Sequence, residues 1–171
     1  MVDQLHEGGV PAVELRGVCK RFPGAVANDA IDLRLWPGEI HVLLGENGAG
    51  KSTLMHILSG MCACDSGEIV IRGALLPSSA GPARAREMGI GMVYQSPSLV
   101  PEFTVVENLL LGMRGGFRLD RAGVTRDLQR LSAGLGVEID PQAVTGDLPP
   151  GRRQLVEIVK VLSSGADILI L

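Results

Sequence analysis

One segment combines glycines, a lysine and a hydroxyl residue at a spacing suited to phosphate chemistry: Gly45-Glu46-Asn47-Gly48-Ala49-Gly50-Lys51-Ser52. In the pattern G-x-x-x-x-G-K-[ST], glycines let successive backbone N–H groups turn toward phosphate oxygens. Lys51 would supply a positive charge to the β- and γ-phosphates, and the Ser52 hydroxyl is a candidate ligand for Mg²⁺. The alternative is a glycine turn with an incidental Lys-Ser pair.

The elements around this segment favour the phosphate loop. Ile40 to Leu44 is nearly all apolar and predicts a strand buried on both faces, as in a parallel sheet. After the loop, Leu54, Ile57, Leu58 and Met61 are spaced as on one face of a helix. A helix that begins at the loop adds the positive end of its dipole. Strand, loop and helix together predict a nucleotide-binding site.

The remaining elements predict an α/β fold. Val13 with Leu15, and Ile31 to Leu35, alternate with polar residues and predict half-buried antiparallel strands. Thr104 and Glu107 match a capping box at the start of a helix. Further strands are predicted at 67–73, 90–94 and 167–171, and further helices at 124–135 and, preceded by Pro149-Pro150-Gly151, to about 162.

Composition and charge exclude several classes. With 171 residues and 46% hydrophobic residues, the chain is large enough for one domain with a core. Its net charge of -3 argues against a nucleic-acid partner. Cys19, Cys62 and Cys64 lack the spacing of a zinc site and are expected to be reduced thiols. Residues 1–11, predicted to be a flexible tail, lack the pattern of a signal peptide, and no apolar run approaches the roughly 20 residues that span a bilayer. Any role at a membrane is therefore predicted to be that of a peripheral subunit.

Leu43 to Met55 closely resembles the Walker A region of ABC transporter ATP-binding subunits. The resemblance covers nearly the whole chain from Val13 onward. The other segments that carry it are the aromatic loop at 20–24, the turn at 65–69, the Q-loop at 93–95 with the residues that follow it, the helix after the signature motif at 154–158, and the strand leading into Walker B at 166–171. Within the family, residues 21–24, 99–101 and 156–158 resemble importers of simple sugars and nucleosides.

The resemblance implies a P-loop NTPase fold: a RecA-like core with a parallel sheet, an N-terminal antiparallel β-subdomain and a helical ABC subdomain at about 96–162. Residues 12–171 would then form a nucleotide-binding domain that is incomplete at its C-terminus. Subunits of the resembled importers carry two fused nucleotide-binding domains, and this chain would be the first part of the first one.

The resemblance also implies residue roles in binding ATP and Mg²⁺. Phe22 would stack on adenine, although it could instead be a core residue at a strand end. Gln95 would contact Mg²⁺ and the attacking water, and its place at the end of a parallel-type strand favours this over a merely solvated side chain. Lys51 and Gln95 are the catalytic candidates, and Ser52 and Gln95 the metal candidates. Gly151 would contact ATP held by a partner domain. The phosphates would be wrapped by Gly45, Glu46, Asn47, Gly48, Ala49, Gly50, Lys51, Ser52 and Thr53.

Residues with no matching motif receive structural interpretations. His41 and His56 are assigned to structure, and Arg152, Arg153 and Lys160 to a solvated helix face.

Two departures from the family pattern bear on activity. The signature motif, usually L-S-G-G-Q or L-S-V-G, is Leu148-Pro149-Pro150-Gly151-Arg152 here, so Pro149 replaces the serine that would meet the partner's ATP. The chain also ends at Leu171, where the family continues with the Walker B carboxylates. The expectation is that the chain is a fragment that binds nucleotide weakly and does not hydrolyse ATP alone. An exposed apolar strand at 168–171 would promote aggregation.

The leading hypothesis is the energy-coupling subunit of an ABC importer at the cytoplasmic face of the membrane. Its expected partners are a second nucleotide-binding domain, membrane permease subunits and, indirectly, a solute-binding protein. One alternative is a soluble ABC-type ATPase acting on ribosomes or DNA; the absence of sustained heptads and of a basic patch counts against it. A P-loop kinase or GTPase is disfavoured because neither needs the Gln95 loop followed by the Gly151 helix, and the guanine-reading Asn-Lys-x-Asp of a GTPase is not present. The last alternative is a truncated product without independent activity.

Overall fold

The computed structural model describes residues 9–94, 98–112 and 120–171. The chain divides into two compact units, residues 1–90 and 91–171. Its elements, in chain order, are β1 (Val13–Phe22), β2 (Ala25–Leu35), α1 (Lys51–Leu58), β3 (Ser66–Ile71), β4 (Ala74–Leu76), α2 (Gly81–Glu87), β5 (Ile90–Met92), α3 (Val105–Gly112), α4 (Arg121–Gly134), α5 (Pro150–Ser163) and β6 (Ile168–Ile170).

The first unit is built on an antiparallel sheet with strand order β2-β1-β3-β4. β1 pairs with β2 through partners such as Val13 and Leu35, and with β3 through partners such as Leu15 and Ile69. Val13 and Leu15 are buried, with Glu14 between them less so, because one face of the sheet packs on the core, and the pairing confirms the antiparallel strands predicted from the alternating pattern. β4 and α2 had no counterpart among the predictions.

A bulge changes the phase of β2. Lys20 pairs with Asn28 and Val18 pairs with Ile31, so β2 carries one more residue than β1 between these pairs. Ala30, within the extra stretch, has a φ of 47°. The side chains that face the core are therefore Asn28 before the bulge and Ile31, Leu33 and Leu35 after it. The bulge shifts the alternation of inward and outward side chains by one residue along β2.

The predicted strand over Ile40 to Leu44 is wrong. This segment forms no strand, and its side chains are exposed: Ile40 by 94%, Val42 by 73% and Leu44 by 87%. A strand needs a neighbour to satisfy its backbone groups and to cover its side chains. Within the part of the chain that the structure describes, neither sheet provides a neighbour for residues 40–44.

The helix predicted after the phosphate loop is confirmed as α1. Leu54, Ile57 and Leu58 are buried, as their spacing predicts. Met61 lies beyond the end of α1 and is half-exposed, so it does not complete the apolar face.

The second unit contains a two-stranded parallel sheet of β5 and β6 and the helices α3, α4 and α5. The chain crosses from β5 to β6 through these helices, as parallel neighbours require. The three helices share one core, which contains Leu99, Val105, Val106, Leu109, Leu110, Val124, Leu128, Val156 and Val159.

The capping box predicted at α3 is confirmed. The Glu107 carboxylate accepts hydrogen bonds from the Thr104 N–H at 3.0 Å and the Thr104 hydroxyl at 2.9 Å, and that hydroxyl accepts one from the Glu107 N–H at 3.3 Å. These bonds, together with the Arg121 guanidinium 2.9 Å away, lower the pKa of Glu107. The start of α3 is thus set by the reciprocal contact that the sequence predicts.

The structure bears on three further predictions, which concern the cysteines, membrane-spanning helices and the N-terminal tail. Cys19, Cys62 and Cys64 are free and half-buried, as expected of reduced thiols. No helix among the described residues is long and apolar enough to cross a membrane. Most of the predicted tail, residues 1–8, lies outside the described residues.

Candidate nucleotide-binding site

The candidate phosphate loop follows the exposed segment and leads directly into α1. Gly48 and Gly50 have φ angles of 86° and 82°, a region that side chains disfavour, so glycines are needed at these turns. The Ala49 N–H donates to the Glu46 carbonyl at 3.2 Å. The backbone conformation therefore explains why this segment is rich in glycine.

The start of α1 offers backbone donors. The first helical hydrogen bond runs from the Leu54 N–H to the Gly50 carbonyl at 2.9 Å. The N–H groups of Lys51, Ser52 and Thr53 make no hydrogen bond within the described residues, and no side chain caps the helix. Because the first turn also lacks an acidic residue, the positive end of the helix is free to bind an anion.

Lys51 and Ser52 add the side-chain chemistry. The Lys51 ammonium donates to the carbonyls of Gly45 at 2.6 Å and Glu46 at 2.7 Å, which holds its charge over the loop. Ser52 is exposed, and its hydroxyl has no partner among the residues that the structure describes. Together with the free N–H groups, these side chains form a cradle that fits a phosphate chain and one associated Mg²⁺.

A bound Mg²⁺ would need ligands from outside the protein. In residues 9–94, 98–112 and 120–171 no group of three or more His, Cys, Asp and Glu side chains is arranged to hold a metal ion. Ser52 fits as one hydroxyl ligand, and the phosphates of a bound nucleotide are the natural source of the others. Gln95, the other predicted metal ligand, lies outside the described residues.

Phe22, the predicted adenine contact, ends β1 opposite Ala25 and is 47% exposed. The Lys20 ammonium lies 5.5 Å from the centre of its ring and also forms a 2.9 Å ion pair with Asp65. The pKa of Lys20 is raised, chiefly by the hydrogen bond to Asp65. Phe22 is thus not a core residue, and its ring remains accessible to a stacking partner.

Gly151, the predicted contact for a partner's ATP, is exposed in the first turn of α5. Both Arg152 and Arg153 donate their N–H groups to the Pro149 carbonyl, at 2.9 and 3.0 Å. Pro150 has no N–H, so the Gly151 N–H is the one free backbone donor at this helix start among the described residues. The start of α5 therefore offers fewer donors to an anion than that of α1.

The solvated face predicted for α5 is only partly correct. Arg152 is exposed, whereas the Arg153 Nε atom is buried and has no hydrogen-bond partner among the residues that the structure describes. Lys160 is half-buried and donates to the Ser98 carbonyl at 3.3 Å, and burial lowers its pKa. Next to it, the buried Glu157 accepts a hydrogen bond from the Ser98 N–H.

Two buried polar residues next to these features were not predicted to have a role. Asn28, 5% exposed, donates from its side-chain amide to the Gly50 carbonyl at 3.3 Å. Glu157 is 4% exposed and holds the backbone at Ser98. A polar residue at a core-facing position is the signal that could have identified both. For Asn28, the bulge in β2 hides that signal because it breaks the alternation.

Comparisons with known proteins point to one family. The family model described as "ABC transporter" matches residues 28–171. The chain is 49% identical over 164 residues to the ribose import ATP-binding protein RbsA 1 of Rubrobacter xylanophilus, covering 94% of this chain and 32% of the relative. It is 46% identical over 160 residues to the guanosine import ATP-binding protein NupO of Bacillus subtilis, covering 92% of this chain and 31% of the relative. The chain thus spans about a third of the length of these curated relatives.

Solved structures show the same fold. The structure of cbiO1 from Clostridium perfringens, part of the ABC transporter complex cbiONQ, matches with a TM-score of 0.80 at 25% identity, covering 94% of this chain and 64% of that one. An ATP-binding cassette of an ABC transporter in its ADP conformation matches with a TM-score of 0.79 at 24% identity, covering 94% and 68%. Since the family model covers most of the sequence and the relatives exceed 45% identity, the chain belongs to the ABC transporter family.

Proposed function

We propose that this chain is the ATP-binding part of the nucleotide-binding domain of an ABC importer. One observation carries the proposal: the start of α1 presents the free N–H groups of Lys51, Ser52 and Thr53 beside the Lys51 ammonium, behind a glycine loop. Backbone donors, a helix dipole and a lysine at one place form an anion site suited to the phosphates of ATP.

Each residue of the loop has a distinct part in binding. The backbone from Gly45 to Thr53 would surround the phosphates, and Lys51 would exchange its carbonyl contacts for the β- and γ-phosphates. Phe22 would stack on adenine with the exposed part of its ring. The Ser52 hydroxyl would hold Mg²⁺, which bridges phosphate oxygens and offsets their charge. Gln95 would contribute to the metal and to the position of the attacking water.

Hydrolysis in this proposal belongs to the longer protein. Gly151 would use its N–H and the start of α5 to contact ATP held by a second nucleotide-binding domain. The Walker B carboxylates expected from the resemblance are not among these 171 residues, so the chain alone would bind ATP with negligible turnover.

The importer assignment rests on the relatives. The names of those at 46% to 49% identity specify ribose or guanosine import, which supports a sugar or nucleoside as the transported solute. The helical region at about 96–162 would receive a short helix of a membrane permease, and a solute-binding protein would act indirectly. The subunit would then lie peripherally at the cytoplasmic face of the membrane.

Binding of Mg-ATP to the purified chain, followed by isothermal titration calorimetry, tests the proposal. Lys51→Ala is expected to weaken binding at least about tenfold because it removes a charge-assisted contact to the phosphates. Arg130→Ala serves as a control because it removes an exposed cation from α4, and it should bind as the wild type does. A wild-type chain that does not bind ATP, or a Lys51→Ala variant that binds equally well, would contradict the assignment.

Uptake of solute tests the importer role. In cells that carry the full-length gene, Lys51→Ala is expected to abolish uptake of labelled ribose or of labelled guanosine. Unchanged uptake of both would favour the alternative, a soluble ABC-type ATPase. The loss of uptake can be interpreted only if the full-length Lys51→Ala protein accumulates in the cells to the wild-type level.

A further inference from the structure

Asn28 reaches the phosphate loop from the neighbouring strand β2. Its side chain is 5% exposed, and its Nδ2 donates to the Gly50 carbonyl at 3.3 Å. Gly50 is the last residue before α1, so this hydrogen bond joins β2 to the point where the loop becomes a helix.

The loop is seated closely on β2 at this point. A Cβ atom at Gly50 would lie 1.9 Å from the Ala27 carbonyl oxygen and 3.0 Å from Asn28 Nδ2, and Gly50 also has a φ of 82°. No side chain fits into that space. The contact with Ala27 and Asn28 therefore fixes where the end of the loop lies.

The hydrogen bond from Asn28 also bears on the direction of one backbone donor at the start of α1. The Gly50 carbonyl and the Lys51 N–H belong to the same peptide unit, which is planar. The carbonyl accepts one hydrogen bond from the Leu54 N–H at 2.9 Å and a second from Asn28. Because two donors hold this oxygen in place, the Lys51 N–H on the opposite side of the peptide is also held in place. That N–H makes no hydrogen bond among the described residues and is available to an anion.

Stability alone does not account for an asparagine at this position. The Oδ1 atom of Asn28 is buried and has no hydrogen-bond partner within the described residues. An unsatisfied buried acceptor is unfavourable, and leucine has a similar size without a polar atom. A buried polar side chain with an unpaired atom next to a binding site is typical of a functional constraint.

We propose that Asn28 is a positioning residue for phosphate binding, which orients the Gly50–Lys51 peptide so that the Lys51 N–H points toward the bound phosphates. This inference rests on the proposed function. It extends the nucleotide site to β2, the strand that begins three residues after Phe22.

Asn28→Leu separates positioning from stability. It removes both the donor to Gly50 and the unsatisfied Oδ1, so the midpoint of thermal unfolding is expected to rise. The dissociation constant for Mg-ATP is expected to increase about three- to tenfold, as for the loss of one hydrogen bond. Val18→Ala is the matched control, since Val18 is a fully buried residue of β1 paired with Ile31 in β2. It should lower the midpoint and leave ATP affinity unchanged below that temperature.

A second measurement needs no nucleotide. Hydrogen exchange of the Leu54 amide, followed by NMR, reports on the hydrogen bond to the Gly50 carbonyl. In Asn28→Leu this exchange is expected to accelerate at least about threefold although the global stability rises, because the Gly50 peptide loses one of its two anchors.

The outcomes distinguish this proposal from the function on which it rests. A wild-type chain that does not bind ATP contradicts the proposed function, and the Leu54 exchange rate then decides the positioning role. If Asn28→Leu binds ATP as tightly as the wild type, or exchanges Leu54 no faster, the positioning role is overturned while ATP binding stands.

Discussion

The side-chain amide of Asn108 in α3 binds both backbone groups of Val100. Its Oδ1 accepts the Val100 N–H at 2.7 Å, and its Nδ2 donates to the Val100 carbonyl at 3.0 Å. Asn108 is fully buried, and its Nδ2 also lies 3.1 Å from the Thr145 hydroxyl, which itself donates to the Val100 carbonyl at 2.8 Å. One side chain thus fixes the segment that follows residues 95–97 to the helical core.

Asn108→Leu is expected to lower the free energy of unfolding by about 2 kcal/mol, because the Val100 N–H loses its acceptor and the Val100 carbonyl loses one of its two side-chain donors. Urea denaturation of wild type and variant measures the difference. Gln129→Ala, which removes an exposed amide from α4, is the control and should change stability by less than about 0.5 kcal/mol. A loss of similar size in both variants would contradict the role of the network.

The capping box at α3 predicts a pH dependence. The pKa of Glu107 is lowered in the folded state, first by the hydrogen bonds from Thr104 and then by Arg121. A carboxyl with a depressed pKa stabilises the fold above its unfolded-state pKa, and this contribution is lost as the pH falls through its folded-state pKa. Glu107→Gln is therefore expected to be less stable than the wild type at neutral pH, with a difference that shrinks as the medium becomes acidic. Thermal unfolding of both proteins from neutral to acidic pH measures this, and a difference independent of pH would contradict it.

The elements with a local sequence signal could be predicted from the sequence. The apolar face of α1, the alternation in β1 and the Thr104–Glu107 capping box depend on residues that are close in the chain, and each is present. The strand over residues 40–44 could not be judged in this way, because a strand forms only beside a neighbour, and apolar character does not reveal whether one is there.

The residues of the candidate site also differ in whether the sequence reveals their place. Lys51 and Ser52 belong to a contiguous motif, so their place at the start of α1 followed from their order in the chain. Asn28 lies 22 residues before Gly50, and its hydrogen bond to the loop depends on β2 lying beside the start of α1. Such contacts between distant residues arise from tertiary packing and leave no fixed spacing in the sequence.

The exposed apolar side chains at residues 40–44 predict self-association. Ile40, Val42 and Leu44 are 94%, 73% and 87% exposed in a segment that lacks strand partners in the described structure. Val42→Lys is expected to reduce association of the chain because a charge opposes pairing of exposed strand segments. Analytical ultracentrifugation across a concentration series measures this. Val26→Lys, which changes a 55% exposed valine within the paired strand β2, should have little effect; an equal effect would show that net charge alone is responsible.

Pro149 is expected to weaken the contact of the signature motif with a partner's ATP. At the start of α5, Pro149 offers neither a hydroxyl nor an N–H, and the Gly151 N–H is the single free backbone donor there among the described residues. Pro149→Ser in the full-length protein is expected to raise ATP turnover about tenfold or more, since it restores a hydroxyl donor for the phosphate of the partner's ATP. Pro150→Ala, which adds an N–H but no hydroxyl, is the matched control and should raise turnover less. Steady-state phosphate release measures both, and unchanged turnover in Pro149→Ser would contradict the hypothesis that this proline limits the composite site.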